Sequence, residues 1–479
     1  MKNHSVEKIG GTSMSDYQSV RDNIIKKHDG NSPYGRVFVV SAYGGITDKL
    51  LEHKKTGQPG IYALFSDSVN DSNWEDEIEK LKYQFLAINQ DLFIDRALGK
   101  EADQFIERRI DDVKDCLTNL QSLCQHGHFS LDQHLIAVRE MLASLGEAHS
   151  AWNMAKLLES DGFNTRFVDL TGWKLEQQFS LDEHIEKAFA DIDIQNELPI
   201  VTGYAHTDTG LMSTFDRGYS EMTFSRIAVV TQAAEAIIHK EFHLSSADPR
   251  LVGVRKAVPI GRTNYDVADQ LANLGMEAIH PKAAKGLRQS NIPLRVKNTF
   301  EPEHTGTLIT SDYVSDVPRV EIIAGCKGVY GIEVFDQDMA GNISKYDSTI
   351  LATIDRFKVN VVAKDINANT VSHYVSTNLK TIKRIVKVLE ESFADAEVNF
   401  RKIAIVSAIG SDMQVPGILA QAVNALAEKN ISVLAMHQSM RQVDMQFILN
   451  ESDYDESIQA LHSRLVEIHD HGRAICLAS

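Results

Sequence analysis

From residue 5 to about residue 310, short apolar runs alternate with stretches in which apolar positions recur every three or four residues. The short runs are rich in apolar residues, and turns follow several of them at once. The recurring stretches read as amphipathic helices. Six strands are expected, at Val6–Ile9, Arg36–Ser41, Thr165–Asp169, Leu198–Gly203, Ala236–Phe242 and Pro293–Lys297. This alternation predicts an α/β sheet sandwiched by helices.

Between about residues 54 and 145 the rhythm becomes helical throughout, in EDEIEKLKYQFLAINQDLF and EADQFIERRIDDVKDCLTNLQSLC, predicting a helical insertion that covers one end of the sheet. After the polar stretch TSDYVSDVPR the chain restarts at Val320 with an internal repeat. Asp338-Met339 returns 74 residues later as Asp412-Met413, and the predicted strand Val359–Val362 returns 72 residues later as Ile431–Leu434. Each half reads as a small β-α-β-β-α-β unit, a plan that serves ligand binding or assembly more often than catalysis. The domain expectation is therefore residues 1–312 and residues 320–479.

Composition narrows the function classes. The chain has 479 residues, 43% of them apolar, enough for several cores, and no window is apolar enough to span a membrane. The net charge of −17 repels nucleic acid, so an anionic substrate must meet a local cluster of cations. Cys116, Cys124, Cys326 and Cys476 form no CxxC pair and no metal-ligand spacing, as expected for free thiols in the cytoplasm. His239 and His243 sit in HKEFH, which is not HExxH and reads as a strand, so no protein-bound metal is expected.

Candidate chemistry starts at the first strand. Lys8-Ile9-Gly10-Gly11-Thr12-Ser13 lacks the spacing of a P-loop, and no protein-kinase signature follows. A strand-end lysine followed by two glycines and two hydroxyls serves equally as a turn or as a phosphate cradle. The second strand ends similarly, with Ser41, Gly44, Gly45 and Thr47, at the carboxyl edge where open α/β sheets bind ligands. Glu147, in LGEAHSA near the expected start of an apolar helix, is placed either to favour the helix dipole or to pair with a substrate ammonium. In STFDRGYSE, Arg217, Ser220 and Glu221 bring guanidinium, hydroxyl and carboxylate to one loop, and Arg suits bidentate recognition of a carboxylate.

In this order KIGGTS, VVSAYGGITDKLLE, LGEAHSA, RGYSE, DPR at Asp248 to Arg250, IHP at Ile279 to Pro281 and GTLI from Gly306 resemble the motif set of aspartate kinases, across the whole chain. TFDRGYSEMTFSRIA and GRTNYDVADQLANLGMEAIHP are similar to the branch associated with ectoine biosynthesis. The resemblance implies an amino-acid-kinase-type sheet followed by tandem ferredoxin-like ACT domains. Its aspartate-side lobe would lie before about residue 205 and its nucleotide-side lobe after it. The implied reaction is transfer from ATP, carrying Mg2+, to L-aspartate. Lys8 and Glu221 would be catalytic, with Gly10, Gly11, Thr12 and Ser13 at the phosphates. Ser41, Thr47, Glu147, Arg217 and Ser220 would hold aspartate.

Lys240, Asp248, Arg250 and Lys282 would lie on the nucleotide side, and Gly410, Met413 and Gly417 would form a loop facing an amino acid effector. A homodimer or homotetramer is implied, with no nucleic-acid or membrane partner. Two departures stand out. RGYSE carries Glu221 where most of the family has Asp, and KEFHLS replaces the usual nucleotide-site TDVxGxY, while Glu277 aligns with a common lysine. Lys240 or Lys282 is then expected to supply the missing positive charge. Two rival readings are a kinase for another acidic amino acid and a non-catalytic, amino-acid-sensing ACT subunit.

Overall fold

The computed structural model describes residues 4–26, 32–53, 56–67, 73–126, 128–175, 177–215, 218–276, 278–468 and 474. Arg217, Glu277 and Cys476 lie outside the described residues. Two compact units emerge, residues 1–243 with 279–311, and residues 244–278 with 312–479.

In the first unit the strands are β1 (Ser5–Ile9), β2 (Arg36–Val40), β3 (Thr165–Val168), β4 (Leu198–Thr202) and β5 (Glu235–Lys240). The second unit contributes β6 (Arg262–Asn264), and the first resumes with β7 (Leu294–Asn298) and β8 (Thr307–Thr310). Within the first unit the order is β3-β4-β2-β1-β5-β7-β8, with β8 antiparallel and the others parallel. Helices on both faces bury β2 and β4 at every position, which is why β2 reads RVFVV. Burying Phe38 alone contributes roughly 1.5–3 kcal/mol.

All six expected strands form. The fifth stops at Lys240 rather than Phe242: the Lys240 carbonyl accepts from Thr299 N–H at 2.8 Å, and Phe242 is left exposed. His243 therefore lies beyond the strand.

The insertion's main helices are Asn73–Leu92 and Arg96–Cys124. The next helix, Leu135–Ser160, runs straight through the expected boundary at 145 and is buried nearly all round from Leu142 to Ala151. Glu147 is thus in mid-helix, far from the amino terminus, which removes the dipole explanation for it. Gly146 does not break this helix; a Cβ there would sit 2.8 Å from the Ala42 Cβ, so the glycine admits a close neighbour. Asn89 of the insertion accepts from Asn153 Nδ2 at 2.8 Å and lies 2.6 Å from His149 Nε2, and burial pushes the imidazole pKa of His149 down to about 3. A buried polar network of this kind favours one register between the helices, although His149 Nδ1 and Asn153 Oδ1 are left without hydrogen-bond partners among the described residues.

The second unit carries β9 (Ile322–Phe335), β10 (Asn360–Ile366), β11 (Thr370–Ser376), β12 (Glu397–Ile409), β13 (Ala435–Gln438) and β14 (Asp444–Asn450). They form one antiparallel sheet in the order β10-β11-β9-β12-β14-β13. The repeat is visible as two cores, one around Ile332, Val371 and Ile385, the other around Ile405, Phe447 and Leu461. The long strands β9 and β12 serve both halves. In the second half the strand expected at Ile431–Leu434 forms just after it, as β13, because Ala435 to Gln438 are the residues in register with β14.

Val267 and Leu271, from the segment preceding residue 278, belong to the second unit's core. Met413 is buried in that core, Gly410 leaves no room for a Cβ against the Arg319 carbonyl, and Gly417 starts the helix Ile418–Ala427 with φ +83°. No helix among the described residues is long and apolar enough to cross a membrane.

Candidate active site

β1 lies between β2 and β5, and the chain turns at its carboxyl end into one short helix, Gly11–Met14. Crevices at such a reversal of strand order are where open α/β sheets bind ligands. Gly10 N–H donates to the His239 carbonyl at 3.3 Å, tying the turn to β5. A Cβ on Gly11 would stand 2.7 Å from the Ala42 carbonyl oxygen, so only glycine lets the two strand-end loops lie together. Ser15 stitches them. Its hydroxyl accepts from Gly44 N–H at 3.0 Å and donates to the Gly11 carbonyl at 3.2 Å. The two glycine-rich loops thus form one surface, with Thr12 exposed and Ser13 buried against Thr299, Oγ to Oγ1 at 2.9 Å.

Lys8 projects from the end of β1 and is buried. Its ammonium lies 3.9 Å from Glu221 Oε1, and the other oxygen of Glu221 accepts from His280 N–H at 2.5 Å. The RGYSE and IHP segments therefore meet at one carboxylate. Glu147 is 1% exposed; its Oε1 accepts from Ser220 Oγ at 2.7 Å, and its Oε2 has no hydrogen-bond partner.

Burial pushes the Glu147 pKa up to about 8, against the opposing pull of the Ser220 hydroxyl, the Lys8 charge and the backbone of Ala42 and Tyr204. Gly203, at the end of β4, is forced by the same crowding: a Cβ would meet Glu147 Oε2 at 2.8 Å and the Val40 carbonyl at 2.7 Å. Ser150, one turn beyond Glu147, donates to the Ser41 carbonyl at 2.9 Å and so ties the second loop to the same helix. Thr47, half-buried, lies in the first turn of the helix Ile46–Leu50.

Lys8, Glu221, Glu147 and Ser220 come together, joined by Gly10 to Ser13 and by Ser41. Lys282 is in the same unit, but its ammonium rests on the Thr214 carbonyl at 3.2 Å and over the Phe215 ring. Lys240 closes β5. Asp248 and Arg250 belong to the other unit, where Asp248 caps the helix Pro249–Val252 and pairs with Arg250 at 2.7 Å.

The model of the amino acid kinase family matches residues 4–298, and that of the ACT domain matches residues 395–463. Aspartate kinase Ask_Ect of Stutzerimonas stutzeri (strain A1501) is 56% identical over 476 residues, 99% of this chain and 100% of its own. The chain belongs to the aspartate kinases of the amino acid kinase family.

Solved structures share the fold of this kinase at low identity. E. coli aspartokinase III in complex with aspartate and ADP (R-state) superposes with a TM-score of 0.71 at 19% identity, covering 96% of this chain and 99% of its own. The same enzyme in complex with lysine and aspartate (T-state) gives 0.74 at 18% identity, with 97% and 100% covered. Motif reading assigned no role in this kinase to Ser15, Ser150, Gly203 or Tyr204. Ser15 carried a signal, a hydroxyl four residues after a strand-end glycine, the spacing at which Ser bonds back to a carbonyl. Tyr204 carried none.

Proposed function

We propose that this kinase transfers the γ-phosphoryl group of ATP to the side-chain carboxylate of L-aspartate, giving 4-phospho-L-aspartate and ADP. A carboxylate oxygen of aspartate attacks the γ-phosphorus as the bond to the β-γ bridging oxygen breaks. Such a transfer needs positioning and charge stabilisation more than covalent help. The supporting observation is the Lys8 cluster: a buried ammonium near two carboxylates, one of which, Glu147, keeps a buried oxygen without a partner. An unsatisfied buried carboxylate oxygen is costly unless a ligand completes it, and the α-ammonium of an amino acid is the fitting donor.

In this reading Glu147 and Ser220 hold the ammonium end of aspartate, with Ser41, Thr47 and Arg217 completing its pocket. Lys8 neutralises charge on the transferring phosphoryl group and Glu221 orients Lys8. Gly10, Gly11, Thr12 and Ser13 border the phosphates. The first turn of a helix leaves N–H groups without intrahelical acceptors, and here that turn begins at Gly11. Magnesium arrives on the triphosphate as part of the donor substrate.

The 56% identity to Aspartate kinase Ask_Ect, with the wording of TFDRGYSEMTFSRIA and GRTNYDVADQLANLGMEAIHP, supports a place supplying ectoine synthesis. We assign the kinase to the cytoplasm as a homodimer or homotetramer, with an amino acid effector at the ACT region near Gly410, Met413 and Gly417. Lys240 and Lys282, both in the first unit, remain the proposed nucleotide-side residues.

The test traps acyl phosphate as the hydroxamate with ATP, Mg2+ and L-aspartate, with L-glutamate and N-acetyl-L-glutamate run in parallel. Aspartate-dependent product is expected. A folded wild type that yields none, or that prefers another acid, would overturn the assignment.

A further inference from the structure

The helix Leu135–Ser160 carries a second buried carboxylate, Glu140, seven residues before Glu147. Seven residues make about two turns, so both side chains leave the same face. Glu140 is 7% exposed and accepts three hydrogen bonds, from Tyr204 Oη at 2.6 Å, Met212 N–H at 3.0 Å and Ser213 N–H at 2.9 Å. All three donors are neutral. Its neighbour Arg139 is engaged elsewhere, with Glu52 at 2.8 Å.

The chain is shaped to receive this carboxylate. Gly210 has φ +76°, a conformation side chains disfavour, and a Cβ there would stand 2.6 Å from Glu140 Oε1. The path of the backbone gives the arrangement its meaning. It leaves Glu147 at Gly203, is caught by Glu140 at Tyr204 and again at Met212 and Ser213, and returns to Glu147 at Ser220. Between those points Tyr204, Thr207 and Gly210 line a cavity of about 660 Å³, so packing does not fix the excursion from that side. Directional bonds hold it, those to Glu140 together with His206 N–H to the Leu170 carbonyl at 2.7 Å and Asp208 N–H to the Phe179 carbonyl at 3.1 Å. The Tyr204 ring also meets the Tyr219 ring edge-on at 5.7 Å between centroids, and Tyr219 immediately precedes Ser220.

We infer that Glu140 is a positioning residue for the phosphoryl acceptor: by holding Tyr204, Met212 and Ser213 it sets where the chain re-enters the pocket at Ser220. The inference rests on the reading of this site as an aspartate kinase site. Glu140 touches no reacting group. It acts through the hydroxyl of Ser220 and the ring of Tyr219, and its loss therefore falls on aspartate rather than on ATP.

Steady-state kinetics of the full-length enzyme test it. Glu140→Gln keeps the shape but turns one acceptor into a donor facing donors, so the KM for L-aspartate is expected to rise roughly tenfold. The KM for ATP should stay within about twofold and kcat within a few-fold. Tyr204→Phe removes one donor of three and is expected to raise the aspartate KM about threefold. Glu140→Asp, which restores the charge on a shorter arm, should recover part of the loss.

An unchanged aspartate KM in Glu140→Gln overturns the inference, as does a parallel rise of both KM values together with a lowered melting temperature, the mark of a merely structural residue. If Glu140→Gln fails to fold, Tyr204→Phe decides: an unchanged aspartate KM overturns the inference. The wild type separates the two failures. No aspartate-dependent product from it removes the kinase assignment, whereas an active wild type matched by the variants removes the role of Glu140 alone.

Discussion

Glu7 and Lys8 are neighbours on β1, and because side chains alternate along a strand they face opposite sides of the sheet. Both are buried charges, yet their surroundings differ in kind. Glu7 is 2% exposed and saturated: it accepts from Arg36 at 2.6 and 2.8 Å and from Ser5 at 2.9 Å, and lies 2.8 Å from His239 Nε2. Burial would raise its pKa, but the Arg36 charge and the bonds to His239 and Arg36 outweigh that and hold it well below the ordinary carboxylate range. On the other face Lys8 reaches a carboxylate only at 3.9 Å, and Glu147 keeps an oxygen without a partner. A closed set of partners marks charge used to hold the fold together. An incomplete set, maintained at some cost in stability, marks charge kept for a ligand.

The contrast breaks most sharply at Lys8. Removing a cation that stabilises a transferring phosphoryl group costs on the order of 10³–10⁵ in turnover. Lys8→Ala is expected to lose at least about 10³-fold in kcat, read by the hydroxamate trap, while its urea midpoint stays close to wild type. A variant that kept its activity would place Lys8 with Glu7 as a structural charge.

The other face should respond in the opposite way. Glu7→Ala leaves the Arg36 guanidinium buried without its counter-charge, and such a loss costs roughly 3–5 kcal/mol. Urea unfolding should show that loss, while the folded enzyme keeps its KM for aspartate. The sign of the pH effect follows from the depressed pKa of Glu7. Its contribution is complete above the ordinary value of 4.5 and is lost as pH falls below that toward the lower folded value, so acid unfolding of the variant should show a weaker pH dependence.

Which parts of this were legible beforehand follows from the same physics. Buried parallel strands favour runs of Val, Ile and other apolar residues, so β2, β4 and the centre of β5 stood out, while β1, with Glu7 and Lys8 between Val6 and Ile9, was marked by the glycines that follow it. The three-residue β6 and the mixed sequence of β8 left no such run. Gly146 looked like a helix start because glycine usually punctuates, whereas here it is a contact point deep inside a helix.

Lys8, Glu147 and Ser220 were found because each lies in a short motif. Glu140 was not, because its partners Tyr204, Met212 and Ser213 lie 64, 72 and 73 residues away and two of them offer only backbone N–H groups. No local pattern encodes an acceptor for a distant backbone donor. The saturation of Glu7 was hidden for a similar reason, since Arg36 and His239 are 29 and 232 residues from it.

Glu147 gives the finest test, because the comparison there rests on a proton. In the free enzyme its pKa stands at about 8 against an ordinary value of 4.5, so through neutral pH the carboxyl holds its proton. The stability gained from that protonated, buried form is complete below the ordinary value and is lost as pH rises through 8. The α-ammonium of aspartate needs the carboxylate, so binding below pH 8 must expel the proton. The aspartate KM should therefore fall about tenfold per pH unit between roughly pH 6 and 8 and level off above.

Glu147→Gln removes the titrating group and should flatten that profile. Above pH 8 its aspartate KM should exceed wild type by roughly a hundredfold, the size expected for losing a charge-assisted bond at a buried site. Near pH 6 the gap should narrow to about a few-fold, because glutamine resembles the protonated carboxyl that the wild type already carries there. A gap of constant size across this range would mean that Glu147 is ionised in the free enzyme, with its second oxygen satisfied after all, and the distinction between the two faces of β1 would then rest on Lys8 alone.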